Sequence, residues 1–451
     1  MEQVFRYIEE NRERYINWLQ ELCRKPSVST ENRGIKEAAD LVQKLLLEIG
    51  AKVEVIETNG HPILYGEISQ GRSRTISFYN HYDVQPEHPI EAWVCDPFAA
   101  EIQEGKLIAR GSADNKGALV ARICAVHAYQ QVYGELPVNL KFIIEGEEES
   151  GSKHIQEFAQ SHPEKFKADL CIWENGIVNE DGSFEVKLGN KGILYVHLVA
   201  KGANTDLHSS NAAIIENPAW RLIWALNSLK NEQEEVLIDG FYDRVQKPNE
   251  VEKRILEEMD FEEEQMLNRL GLKQFLLNCS GTELKERLLF QPTCTICGLV
   301  SGYEGEGTKT VLPSTARVSI DFRLVPDQDP EEILKLLRKH LDRSGFEDIE
   351  VIATDGTPPA KTDPGHPLVQ KIITAAEKLN GIPPRVIIMN PGSGPMYKLC
   401  QQFGIPAAGF GVGNPDSKKH APNENILIKD YMEGIKMAAL VIDELGLQDE
   451  K

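Results

Sequence analysis

Two tracts in which helical and strand-like segments alternate, separated by a tract of different pattern, restrict the fold of this chain more than any other feature. In the first tract, apolar residues at Phe5, Ile8, Ile16, Leu19 and Leu22 recur at helical spacing, which predicts helix over 4–23. A second helix is expected over 35–49, stopped by Gly50. Strand-like runs follow at 52–57, 62–68 and 75–83. Helices near 117–133 and 153–160 then precede strands at 138–144 and 169–173. Alternation of this kind predicts a layered α/β sheet, with chemistry beyond the carboxyl ends of its strands. After Lys191 the pattern changes. A strand over 192–200 leads to a helix opened by Asn217-Pro218, then to an acidic stretch over 232–264, expected to be solvated helix surface. A strand over 315–323, an amphipathic helix over 330–343 and a strand over 348–353 complete this tract. Alternation resumes near His366. The expectation is a catalytic domain in two pieces, 1–190 and 362–451, with an α+β domain, 191–361, inserted between them.

A length of 451 residues agrees with more than one core. The balance of 49 Lys+Arg against 70 Asp+Glu leaves a net charge of −21, which opposes binding to a phosphate backbone and argues against a nucleic-acid partner. No run of about 18 apolar residues is present, so no membrane partner is expected. The opening residues lack the apolar core of a secretion signal, and the eight cysteines are widely spread, so a cytoplasmic protein is expected. Cys294 and Cys297 form a lone CxxC without further ligands nearby and read as structural thiols.

Five polar segments stand out, most of them where strands end. In Asn80-His81-Tyr82-Asp83 the imidazole and the carboxylate lie two residues apart, so on a strand they share a face. That spacing lets a carboxylate orient a metal-bound histidine, although taken alone the segment reads more simply as a strand-end histidine satisfied by a neighbour. Arg110-Gly111-Ser112-Ala113-Asp114-Asn115-Lys116-Gly117 puts a carboxylate in a glycine-bounded loop before a helix, as a ligand or as an N-cap. Its glycine spacing matches neither phosphate-loop pattern, which disfavours a dinucleotide-dependent oxidoreductase. Ile144-Glu145-Gly146-Glu147-Glu148-Glu149-Ser150-Gly151-Ser152 crowds carboxylates at a strand end, a costly arrangement without a cation. Ile172-Trp173-Glu174-Asn175-Gly176 and Lys419-His420-Ala421-Pro422-Asn423-Glu424 each add one candidate ligand. Together these are imidazole and hard oxygen donors suited to a pair of divalent ions.

In order and spacing these segments resemble the dinuclear zinc metallopeptidase family that includes cytosolic dipeptidase (carnosinase), glutamate carboxypeptidase, aminoacylase and succinyl-diaminopimelate desuccinylase. The resemblance covers essentially the whole chain. His81-Tyr82-Asp83 matches the family's His-x-Asp, and Asp114-Asn115-Lys116-Gly117 its Asp-x-Lys-Gly. The separation of 33 residues (114 − 81) is that of the dipeptidase branch. The resemblance implies a discontinuous α/β catalytic domain, a mixed sheet flanked by helices, with an inserted α+β lid and dimerisation domain. It implies two divalent ions per chain, zinc with manganese or cobalt as alternatives. Asp114 would bridge them, His81 and Glu174 would complete one site, and Glu149 and His420 the other. Aligning Glu145 with the first glutamate of Glu-Gly-x-Glu-Glu makes Glu148 the general base and Glu147 the variable residue. Asp83 would orient His81, and a cis peptide would follow Asp114. Glu174 stands where the dipeptidase branch more often has aspartate.

Three further segments match. Thr205-Asp206-Leu207-His208-Ser209 resembles the lid histidine, which in dimeric members reaches the neighbouring subunit's active site. Val318 to Pro326 resembles the lid strand whose arginine, here Arg323, holds the substrate carboxylate. Asn390-Pro391-Gly392-Ser393-Gly394-Pro395 resembles a substrate-binding loop, with Ser393 at the matching position. The lid would hinge near Lys191-Gly192 and Thr357-Pro358-Pro359. The activity implied is metal-dependent hydrolysis of dipeptides or short peptides by a homodimer. The alternatives are removal of an N-acyl group from an amino acid, or a catalytically silent binding protein on the same fold.

Overall fold

The computed structural model describes residues 1–447 of the 451. The chain forms two compact units. The first comprises residues 1–189, 361–388 and 395–451, and the second 190–360 and 389–394. The short return of 389–394 to the second unit breaks the simple nesting expected from the sequence. Asn390 forms a parallel bridge to Asn190, which draws this loop into that unit.

The first unit is built on an eight-stranded mixed sheet. Its order is Lys52–Ile56, Ile63–Ile68, Asn139–Glu145, Thr75–His81, Leu170–Trp173, Ala407–Gly409, Glu185–Lys187, Arg385–Ile387. The four central strands, from Asn139–Glu145 to Ala407–Gly409, run parallel, so their carboxyl ends lie along one edge. Register pairs His81 with Glu145, which brings the first and third polar segments side by side. The strands Thr75–His81 and Asn139–Glu145 are buried except at their first residues. This is the near-continuous apolar character that parallel strands covered on both faces require.

Helix Gly117–Tyr133 is buried from Gly117 to Tyr129 and packs against Ile428–Gly446 and Glu2–Glu10. A helix apolar all round belongs inside, and this one sits in the main core with Phe78, Phe142 and Tyr431. The expected helix over 4–23 is two helices, Glu2–Glu10 and Arg12–Cys23. The Asn11 side chain donates to the Tyr7 carbonyl, alongside the residue's own backbone N–H.

The second unit is a four-stranded antiparallel sheet, ordered Thr293–Ser301, Thr315–Leu324, Gly192–Lys201, Glu350–Thr357, with helices Pro218–Leu229 and Pro330–Arg343 packed on it. Gly192–Lys201 alternates buried and half-buried residues, as a sheet with one covered face should. The acidic stretch differs from a continuous solvated helix. Helix begins only at Glu250, where Asn249 and Glu252 form a reciprocal cap that leaves Glu252 buried. Cys294 is buried in this unit's core and Cys297 is exposed, at a point where the pairing of its strand shifts register.

Candidate metal centre

All seven residues expected to carry the chemistry lie in the first unit, and the five expected ligands, His81, Asp114, Glu149, Glu174 and His420, converge. His81, the last residue of the central strand, is fully buried. Its Nε2 lies 3.2 Å from Asp114 Oδ1 and 3.6 Å from Glu174 Oε2. On the other side of Asp114, His420 Nε2 lies 3.5 Å from Oδ2 and 3.1 Å from Glu149 Oε2. The two oxygens of one carboxylate thus face two different histidines, each accompanied by its own glutamate. One ligand atom from each of His81, Asp114 and Glu149 lies within 4.8 Å of the other two.

Asp114 owes its position to the loop before helix Gly117–Tyr133 and to a buried acid outside the expected set. Glu424 Oε1 accepts the backbone N–H of Ala113 and Asp114, each at 2.9 Å. Its Oε2 accepts from Gly111 N–H and from Arg110 at 2.7 Å. The peptide between Asp114 and Asn115 is cis. His420 adopts φ 57°, a left-handed conformation uncommon for a residue with a Cβ.

Asp83 lies against the His81 ring, as its expected role requires, but by a different local geometry. The strand ends at His81, so the two residues do not share a strand face. His81 Nδ1 is 3.1 Å from the Asp83 carbonyl oxygen and 3.4 Å from its Oδ1. The Asp83 carboxylate accepts the backbone N–H groups of Glu148 and Glu149 at 3.2 and 3.1 Å. One residue therefore orients the imidazole and anchors the glutamate turn. The three consecutive glutamates separate in space. Glu147 turns away to His154 Nδ1 at 2.6 Å, while Glu149 faces His420 and also accepts from Gln85 Nε2 at 3.0 Å.

The electrostatics show how crowded the acids are. Burial, followed by the charge of Glu174, pushes the Glu148 carboxyl well above the usual range. Burial pushes Glu174 up to about 7. Hydrogen bonds to Asp114 and Glu149 raise His420 to about 10. For His81, burial lowers the pKa, but the bonds to Asp114 and Asp83 outweigh it and hold the ring well above its ordinary value. Glu174 Oε2 is buried and accepts no hydrogen bond. A buried carboxylate oxygen without a donor, beside two imidazoles and three more acids, fits a cationic ligand. Imidazole and carboxylate donors suit a divalent ion.

The second unit places Arg323 and Ser393 together. Arg323 Nη1 donates to Ser393 Oγ at 2.8 Å, and Nη2 pairs with Asp321 Oδ2 at 3.1 Å. His208 is exposed on a two-residue strand, Leu207–His208, that pairs with Val311–Leu312.

The chain is similar to proteins of known kind over nearly its whole length. It is 28% identical to the Beta-Ala-His dipeptidase of Mus musculus over 99% of this chain and 96% of that protein. It is 25% identical to the Cys-Gly metallodipeptidase dug1 of Schizosaccharomyces pombe over 99% of this chain and 98% of that one. Among solved structures, the M20 family metallo-carboxypeptidase Sso-CP2 from Sulfolobus solfataricus superposes with a TM-score of 0.90 at 38% identity, covering 96% of this chain and 99% of the other. Residues 77–444, from the central strand to the last helix, match the description Peptidase family M20/M25/M40. The chain belongs to that family and is a metallopeptidase.

Proposed function

We propose that the chain hydrolyses the peptide bond of dipeptides and other short peptides with two divalent ions held side by side by Asp114. The observation that carries this reading is the opposed pair of contacts, Asp114 Oδ1 toward His81 and Oδ2 toward His420. His81 with Glu174 and His420 with Glu149 would hold one ion each. Zinc is the proposed ion, with manganese and cobalt acceptable to the same donors. Such ions, when bound, lower the pKa of water and polarise a carbonyl. Glu148 is the proposed general base. It takes the proton of the attacking water and delivers it to the departing amine. Burial and the surrounding acids raise its affinity for that proton, as the task requires. Asp83 keeps His81 oriented and fixes the turn that presents Glu148.

The second unit is proposed to supply substrate contacts. Arg323, braced by Ser393 and Asp321, suits a carboxylate because its planar fork can donate two parallel bonds. His208 would stabilise the developing oxyanion. The names of the relatives favour peptides over N-acyl amino acids as substrates. The test is a panel of dipeptides, dipeptide amides and N-acyl amino acids, assayed with zinc, manganese or cobalt while bound metal is quantified. Dipeptides with a free carboxylate should be cleaved fastest, with about two metal equivalents per chain. Faster turnover of N-acyl amino acids would overturn the peptidase reading, and equal turnover of the amides would remove Arg323 from its role.

The proposed assembly is a homodimer formed through the second unit. Thr293–Ser301 is an edge strand that exposes Ile296, Leu299 and Val300, and helix Pro218–Leu229 exposes Trp220, Ile223 and Trp224. An unpaired apolar edge of this kind is usually covered. Sedimentation at micromolar concentration should return twice the 50.6 kDa chain mass; a monomer there would refute the dimer. The proposed compartment is the cytoplasm, since all eight cysteines are free thiols. Among the described residues no helix is long and apolar enough to cross a membrane.

A further inference from the structure

Helix Gly117–Tyr133 carries a buried cation that the proposed mechanism does not use. Arg122 is 1% exposed, and its guanidinium lies 5.5 Å from the Phe78 ring and 5.9 Å from the Phe410 ring. Its Nη1 donates to the Tyr79 carbonyl and to Asn80 Oδ1, each at 2.7 Å. Its Nη2 donates to the carbonyls of Trp173, Glu174 and Phe410. These acceptors lie at the carboxyl ends of three adjacent strands. Burial lowers the Arg122 pKa to about 10, which leaves it charged at neutral pH. Among the described residues its hydrogen-bond acceptors are carbonyls and an amide rather than a carboxylate, and a buried charge is costly unless something answers it.

The answer runs through three amides. Asn80 Nδ2 donates to Asn115 Oδ1. Asn115 Nδ2 donates to Asn175 Oδ1 at 2.9 Å and to the Glu174 carbonyl at 3.0 Å. Asn175 Nδ2 donates to Asp114 Oδ1 at 3.0 Å. Every amide accepts on the side of the arginine and donates toward the aspartate, so all three dipoles point the same way. Turning any one of them over would set oxygen against oxygen on one side and donor against donor on the other. Aligned hydrogen bonds in a low dielectric reinforce one another.

We propose that Arg122 is a positioning residue of the metal centre, acting through Asn80, Asn115 and Asn175 to hold the Asp114 carboxylate with Oδ1 toward His81 and Oδ2 toward His420. The last torsion of an aspartate has broad preferences, so its plane must be fixed from outside. Ligands must be held within about 10–20° of their working geometry for a site to function. This inference rests on the reading of Asp114 as the shared ligand.

The test compares the parent with Asn80→Ala, Asn175→Ala, the double variant and Arg122→Lys. Zinc affinity is measured by competition with a chromophoric chelator, and melting of the metal-free proteins is measured separately. Each single asparagine variant should bind zinc about 10–100-fold more weakly. The double variant should be no weaker than the worse single, since one break already interrupts the chain. Metal-free Asn175→Ala should melt within a few degrees of the parent. If Arg122→Lys does not fold, the asparagine pair still decides the matter. Single variants that bind zinc like a parent holding two equivalents would overturn the relay alone, as would a double variant losing the product of the two single effects. A parent that takes up no zinc would overturn the relay together with the reading of Asp114.

Discussion

Glu148→Gln is expected to keep both metal ions and to lose turnover by about 10²–10⁴-fold, the range over which a general base contributes. Glutamine has the size of glutamate, so the turn anchored on Asp83 should persist. The amide cannot accept a proton and hold it as a carboxylate does. The loss should therefore appear in kcat while the metal content stays at the parent value. Glu147→Gln is the matching control. Its carboxylate is engaged with His154, away from His420, and its replacement should change kcat by no more than a few-fold. A Glu148→Gln enzyme that turns over like the parent, or a Glu147→Gln enzyme that does not, would move the base to another glutamate.

Three of the five polar segments, at 80–83, 144–152 and 172–176, already pointed to the right sheet edge, because each lies at the end of a strand that the apolar pattern marks. What the sequence could not reveal are the partners that only tertiary folding supplies. Glu424 belongs to the same short segment as His420, yet its role depends on Arg110 and the loop before Asp114, more than 300 residues away in sequence. Arg122 reads in sequence as a polar interruption of an apolar helix, and its acceptors come from three separate segments. The three glutamates in a row differ in space because His154 binds one of them, seven residues on and across a turn. Asp83 failed the strand-face argument for a local reason: the strand ends two residues too early. The break at Asn11 and the late start of helix at Glu250 both involve side-chain hydrogen bonds, which hydrophobic periodicity does not register.

Removing the metals is expected to abolish turnover, and adding zinc, manganese or cobalt back to restore it. It should also give the protein a stability that falls as pH rises, and the sign follows from the site. The folded pKa of Glu174, about 7, lies above the ordinary 4.5, so between these values the folded state holds a proton that the unfolded chain has released. Stability therefore drops as pH rises through that window. Glu148 is raised in the same direction. His420 is raised from 6.5 to about 10, so its contribution is complete below 6.5 and is lost as pH climbs to 10. His81 acts in the same sense. Asp114 is depressed, and its contribution is lost only on the acid side, below the ordinary 3.8. Above about pH 4.5 Glu174 and Glu148, and above about pH 6.5 His81 and His420, each make the metal-free protein less stable with rising pH, while Asp114 adds no slope there. Bound cations reverse the balance, because they need the deprotonated carboxylates and neutral imidazoles that rising pH supplies. At free metal a thousandfold above Kd, each site adds about 4 kcal/mol. The gap in melting temperature between loaded and stripped protein should consequently widen from pH 5 to pH 8. A stripped protein whose melting temperature rises over that interval would contradict the proposed crowding of acids, and full activity in chelator with no bound metal would contradict the metal centre itself.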